Sequence, residues 1–293
     1  MNNKLKGAVY IAIGAASYGI LATFVKFANN RGIGTAGLTF SQFLFGALLL
    51  SILSLFFSRK PENKTASIYP KLKLMLFGTS LGLTSSFYYL SIQYVPVSVA
   101  IVLLMQTIWM GVVLEFFTGR ERIDKTKVTG SIIAIVGTML AAKVFEDSVT
   151  VNFTGIGFGL LAALSYTAAI YASNKISLEL PTLKRSTYLV YGGLLAVVVF
   201  WNVQLLEEFN WIVFLKWGTF LGFFGTILPP ILFNKGFPET GTGFGSIIAA
   251  LEIPVSVLSA YLLLNEEIKA LQWGGIAVIL FSVTLINLKK NKS

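Results

Sequence analysis

Gly7-Ala8-Val9-Tyr10-Ile11-Ala12-Ile13-Gly14-Ala15-Ala16-Ser17-Tyr18 returns later in the chain as Gly155-Ile156-Gly157-Phe158-Gly159-Leu160-Leu161-Ala162-Ala163-Leu164-Ser165-Tyr166, offset by 148 positions, the distance from Ser17 to Ser165. Two further echoes follow. Gly78-Thr79-Ser80-Leu81-Gly82 matches Gly218-Thr219-Phe220-Leu221-Gly222, and Glu121-Arg122-Ile123 with Gly130 matches Glu266-Glu267-Ile268 with Gly275. The order of the three echoes is the same in both halves, so the chain reads as a duplication with a boundary near 148, giving repeats 1–148 and 149–293.

The medium is set by composition. Of 293 residues, 55% are apolar and 12% charged, with a mean hydropathy of +0.75; a soluble domain carries about 25% charged residues. A helix needs roughly 20 apolar residues to cross the bilayer's hydrocarbon core. Runs of that kind fall near 7–28, 37–57, 72–94, 97–117, 127–143, 153–174, 187–206, 213–234, 242–263 and 270–288, ten in all and five per half. These stretches are too long for barrel strands and lack their alternation. The fold class expected is therefore all-α integral membrane. An odd number of crossings per repeat forces the two copies into opposite orientations, an arrangement found in secondary transporters. The basic opening Met1 to Lys6 could introduce a cleaved leader, but its apolar stretch has a repeat partner from Gly155 onward, so it is expected to stay as the first span.

With the N-terminus in the cytoplasm, only Arg31, Lys143, Lys216 and Lys269 fall in outside segments, and Lys26 lies within the first span; every other lysine and arginine falls inside. This bias places both termini in the cytoplasm. It also accounts for the net charge of +10 as scattered topology determinants rather than a nucleic-acid surface. The chain has no cysteine and no histidine, which removes thiol chemistry, disulfides, histidine relays and most zinc sites. The longest polar stretch, 58–67, is too short for a soluble domain. No enzyme activity, metal or cofactor is expected. The glycine runs at 155–159 and 241–246 lack the lysine and the strand of a phosphate loop, and read as helix-packing positions.

Polar residues at membrane depth carry the functional signal. Glu252 sits midway along the ninth span, where an ionised group costs about 2.5 to 3.5 kcal/mol. Gln106-Thr107 occupies the matching place in the fourth span. Glu252 could couple transport to protons or capture a substrate amine. Pro254, and Pro229-Pro230 ahead of Asn234, lie inside spans and free backbone groups there. Tyr18 and Tyr166 are repeat-related, and Thr84, Tyr88 and Ser91 share one helical face of the third span. The candidate substrate-binding residues are thus Tyr18, Tyr88, Gln106, Tyr166, Asn234 and Glu252, with Lys26 a weaker one.

Two five-helix repeats that open on Ser17-Tyr18 and Ser165-Tyr166, and close on an apolar run followed by Glu121-Arg122-Ile123 and Glu266-Glu267-Ile268, resemble the EamA branch of the drug/metabolite transporter superfamily. Ile253-Pro254-Val255 through Leu264-Asn265-Glu266-Glu267-Ile268 is similar to that family's Pro-Val through Leu-Gly-Glu-Arg-Leu element. Trp109 stands where the first half would carry the proline, and Asn265 and Glu267 replace the usual Gly and Arg. The resemblance covers residues 7 to 288. It implies a ten-helix basket in a bacterial cytoplasmic membrane, a cavity lined by spans one, three, four, six, eight and nine, and export of amino acids or related metabolites. Other readings are a facilitator for sugars, phosphorylated metabolites or drugs, and a membrane receptor or assembly subunit that does not transport. The partners called for are a small solute, the bilayer and a proton at Glu252; a monomer satisfies them.

Overall fold

The structure, a computed structural model, describes residues 3–57, 68–117, 125–141 and 152–288, and among these every regular element is helical. The first half comprises α1 (Asn3–Asn29), α2 (Thr35–Phe57), α3 (Tyr69–Tyr94), α4 (Val97–Leu104), α5 (Thr107–Phe117) and α6 (Lys125–Ala141). The second comprises α7 (Phe153–Lys175), α8 (Thr182–Trp201), the short α9 (Gln204–Glu208) and α10 (Trp211–Val213), a π-helical turn (Phe214–Gly218), α11 (Thr219–Leu221), a second π-helical turn (Gly222–Ile227), α12 (Leu228–Ala249), α13 (Glu252–Leu264) and α14 (Ala270–Leu288). The Glu121-Arg122-Ile123 element, the boundary at 148, and the basic residues Arg59, Lys60, Lys64, Arg120, Lys143, Lys289, Lys290 and Lys292 lie outside the described residues.

Helix ends follow local chemistry. Asn152 caps α7 by accepting from the Gly155 N–H at 3.1 Å. Pro96 precedes α4, and α13 stops at Asn265, whose φ of 54° is the left-handed conformation that asparagine tolerates. Asn3–Asn29, Thr35–Phe57, Phe153–Lys175, Thr182–Trp201 and Trp211–Thr240 are long and apolar enough to cross a membrane, and four shorter apolar helices accompany them. Leu48, Ile52, Leu164, Leu195, Val199, Leu258 and Leu262 point outward. In water that surface would be a liability; against lipid it is the solvated face.

The helices exchange partners between halves. α3 packs on α8 and α7, while the π-helical stretch packs on α2, and α1 packs on α12 and α13. α6 and α14 pair with each other. The echoed glycines sit in these contacts. A Cβ at Gly78 would run into the backbone of Leu189 in α8, and one at Gly218 would come within 2.9 Å of Ser41 in α2. Small residues allow this backbone approach, which is how helices associate where lipid removes the hydrophobic drive.

The structure departs from the sequence reading in three places. Helical hydrogen bonding runs through 235–241, where a loop was expected. Eight residues of straight helix rise about 12 Å, yet a Cβ on Gly245 would lie 2.7 Å from the Phe237 ring, so the helix bends between Phe237 and Gly245, a stretch that holds Pro238. Second, α8 begins at Thr182 rather than 187, which buries Arg185 instead of leaving it in a loop. Third, the runs expected at 97–117 and 242–263 are divided, at Met105-Gln106 and at Ala250-Leu251.

Candidate functional site

Two breaks interrupt the apolar helices, and the helices beside them, α4 and α13, pack together. The first separates α4 from α5 at Met105-Gln106; the second separates α12 from α13 at Ala250-Leu251. They stand 145 positions apart, the same spacing as Glu121 and Glu266. Pro254 lacks the N–H that would bond the Ala250 carbonyl, which accepts instead from Ile253 N at 3.1 Å, a tightened turn that ends the ladder. At the first break a side chain does this. Gln106 Nε2 donates to the Val102 carbonyl at 3.2 Å while its own backbone N–H turns to Leu103 O at 3.0 Å. A side chain inserted into the ladder divides a helix as a proline does.

Glu252 is the first residue of α13 and is 3% exposed. Its Oε2 accepts from the Tyr166 hydroxyl at 3.1 Å. The carboxyl opens on a cavity whose walls come from α1 (Tyr18, Leu21), α3 (Thr84, Tyr88, Tyr89), α7 (Tyr166) and the second π-helical turn (Gly225, Thr226). Leu104 of α4 and Pro230 of α12 also line it, and Phe43 of α2 and Val190 of α8 add two helices to the lining that the family resemblance implied. Tyr18 and Tyr166 meet edge to face, with ring centroids 6.2 Å apart. Pi-helical turns recur at functional sites because the extra residue re-aims a wall, and here one of them presents Thr226 to the cavity.

The sequence candidates divide. Tyr18, Tyr88, Tyr166 and Glu252 come together around this cavity, with Thr84. Gln106 does not line it: its Nε2 also donates to Thr138 in α6 at 2.6 Å and its Oε1 accepts from Trp109 at 2.9 Å. Asn234 is buried elsewhere, donating to Ser186 at 2.8 Å, and lines a second, more polar cleft with Lys6, Tyr10, Arg185, Lys235 and Glu239. Arg185 there clasps three carbonyls, of Ser173, Ile176 and Asn234. Ser91 donates to the Gly155 carbonyl at 2.8 Å, and Lys26 to that of Ile92 at 2.6 Å. Tyr89, which the sequence reading passed over, lines the cavity while its hydroxyl donates to Gln42 Oε1 at 2.8 Å. An intramembrane glutamine in α2 was the signal that would have pointed to it.

Beyond the cavity, toward the Asn29 end of α1, polar contacts close the structure. The Glu266 carboxylate accepts from Val97 N at 2.7 Å and Ser98 N at 3.1 Å, capping α4 from the segment after α13. Gln93 donates to Asn29 at 2.7 Å, and Thr23 meets Ser259 at 2.7 Å.

Apolar helices with a lipid-facing surface around a carboxyl-bearing cavity define an integral membrane protein. The model of the EamA-like transporter family matches the chain twice, over residues 5–143 and 153–288, and the protein belongs to that family; it is a multi-pass transporter and not an enzyme. The Threonine/homoserine exporter RhtA of Escherichia coli K12 is 25% identical over 252 residues, 85% of this chain and 80% of that one. The same exporter from Salmonella typhimurium SL1344 is 24% identical over the same shares. An uncharacterized transporter of Archaeoglobus fulgidus is 25% identical over 95% of each chain. A crystal structure of a protein 16% identical superposes with a TM-score of 0.66 over 99% of both chains, a likeness of fold.

Proposed function

We propose that this chain is a secondary exporter of amino acids or related small metabolites, working by alternating access around the Glu252 cavity and coupled to protons through that carboxyl. Ten crossings arranged as inverted repeats, 1–148 and 149–293, would lie in a bacterial cytoplasmic membrane with both termini inside. The exchange of helix partners between halves and the equivalent positions of the two breaks support the inverted arrangement. Discontinuous helices meeting at the midplane are where such transporters bind their solutes. The substrate class takes its support from the threonine and homoserine exporters among the relatives.

One observation carries the reading: Glu252, the one buried carboxylic side chain among the described residues, stands at a helix break, in contact with a tyrosine and facing a cavity. A lone carboxyl at membrane depth is retained where it binds a charge that comes and goes. Closure at the Asn29 end of α1, where Glu266 ties the segment after α13 to α4, supports a rocking mechanism, since these few hydrogen bonds are what an opening on that side would have to break.

Counterflow of labelled threonine into proteoliposomes tests the proposal, comparing wild type with Glu252→Gln, with and without an imposed pH gradient. Flux that follows the gradient in the wild type alone is the expected result. Equal, gradient-blind flux in both proteins would leave an uncoupled facilitator, and absence of flux for threonine, homoserine and a wider amino-acid panel would overturn the substrate class.

A further inference from the structure

We propose that the cavity selects its solute by a positive charge, so that it accepts organic amines, including ones with no carboxylate at all. The inference rests on the transport reading above and narrows its substrate class. Its basis is the charge inventory of the wall. Glu252 is the one carboxylic side chain among the described lining residues, and no lysine or arginine joins it. Two basic residues within the same helices are engaged elsewhere: Lys26 of α1 with the Ile92 carbonyl, and Arg185 of α8 with three carbonyls away from the cavity. When ionised, a buried carboxyl with a single neutral donor, Tyr166, lacks the counter-charge that buried ions require. An ammonium group on the solute supplies it.

The surroundings of Glu252 fit the same ligand. Tyr18 and Tyr166 stand edge to face at 6.2 Å, and Tyr88 and Tyr89 lie with centroids 6.3 Å apart, so four phenol rings wall the space the carboxylate faces. Ring faces attract cations, most strongly where water is excluded, and grouped rings of this kind recognise quaternary ammonium ions that have no N–H to donate. A solute carboxylate finds a poorer reception. The hydroxyl of Thr226 is buried without a partner and that of Tyr88 has Ser256 beside it; each can donate one hydrogen bond, but neither carries charge. Neutral donors only partly offset the cost of desolvating a carboxylate. The amine is thus the group the site reads, and the carboxylate of an amino acid is tolerated.

Two measurements test this, separately from the transport reading. The first is inhibition of threonine counterflow by L-threoninol, which lacks the carboxylate, by tetramethylammonium, and by 3-hydroxybutyrate, which lacks the amine. Threoninol and tetramethylammonium should inhibit at concentrations within about threefold of threonine's own, and 3-hydroxybutyrate at least roughly tenfold less well, the weight of one charge-assisted contact. Inhibition confined to carboxylate-bearing compounds overturns the proposal and leaves amino-acid export standing. The second is thermal unfolding of the purified protein with tetramethylammonium chloride against sodium chloride at equal ionic strength. Stabilisation by the organic cation is expected in the wild type and in Glu252→Asp, which keeps the charge should Glu252→Gln fold poorly, and not in Glu252→Gln; no shift in the wild type overturns the proposal. Stabilisation that depends on Glu252 in a protein that moves neither threonine, homoserine nor the wider amino-acid panel would keep this inference and discard the amino-acid reading.

Discussion

The two helix breaks share a place in the duplicated fold and differ in what makes them and in what they hold. At Ala250-Leu251 the backbone is divided by Pro254, so the side chain beside the break, Glu252, is left to face the cavity. At Met105-Gln106 there is no proline. Trp109 occupies that position, its indole N–H holds Gln106 Oε1, and the other end of Gln106 takes the Val102 carbonyl and Thr138. One half therefore uses its polar side chain to build the discontinuity, and the other builds the discontinuity from backbone alone and keeps its polar side chain available. A duplicated scaffold acquires a single asymmetric site by this division. The comparison predicts that substitutions at the second break change transport and substitutions at the first change stability.

The largest effect is expected from Glu252→Gln, which keeps size and a hydrogen-bond acceptor while removing the charge. Counterflow should fall by roughly 10- to 100-fold, the loss of one charge-assisted contact, with the unfolding midpoint in detergent held or raised because an unpaired buried charge has gone. Wild-type rates in this variant would erase the distinction between the breaks. Gln106→Leu should behave in the opposite way. It leaves the Trp109 N–H without its acceptor, and the unfolding free energy should drop by about 2 kcal/mol, while the half-saturating concentration of the folded protein stays unchanged. A shift in that concentration would place Gln106 in the site after all. Tyr166→Phe comes third: without the hydroxyl that Glu252 accepts from, half-saturation should rise about fivefold, corresponding to about 1 kcal/mol for one hydrogen bond. Titration of flux against substrate concentration separates this from an effect on turnover.

Part of this was open to reading from the chain. Hydropathy finds polar groups stranded at membrane depth, so Glu252, Tyr18, Tyr88 and Tyr166 stood out before any coordinates, and they converge on one cavity. The same signal selected Gln106 and Asn234, because depth says that a polar group must have a partner and does not say whether the partner is a solute or a neighbouring helix. Gln106 found Thr138 and Trp109; Asn234 found Ser186. Leu21, Phe43 and Val190 carry no signal of any kind, since an apolar side chain facing a cavity and one facing lipid are alike in sequence. Tyr89 was hidden by periodicity. A step of one residue turns a helix by about 100°, which removes it from the face shared by Thr84 and Tyr88, yet the cavity is wide enough to take both faces. The break at Gln106 was invisible because it depends on a hydrogen bond that only the fold creates.

The smallest expected effect bears most directly on how that break is made. If Trp109 stands in for the missing proline by holding Gln106, then Trp109→Phe should act only through Gln106. Alone it removes the indole N–H from Gln106 Oε1, and polar contacts of this kind inside membrane proteins average about 0.6 kcal/mol. In a Gln106→Leu background the same substitution should recover part of the loss, because it removes the N–H left without an acceptor. The two changes are therefore expected to be less than additive by at least that amount, a coupling that a double-mutant cycle of unfolding midpoints can read. Strict additivity would mean that Trp109 stabilises the helix by packing alone and that Gln106 orients itself. In that case the first break would owe nothing to the residue that replaced the proline, and the parallel between the halves would be one of position without one of cause.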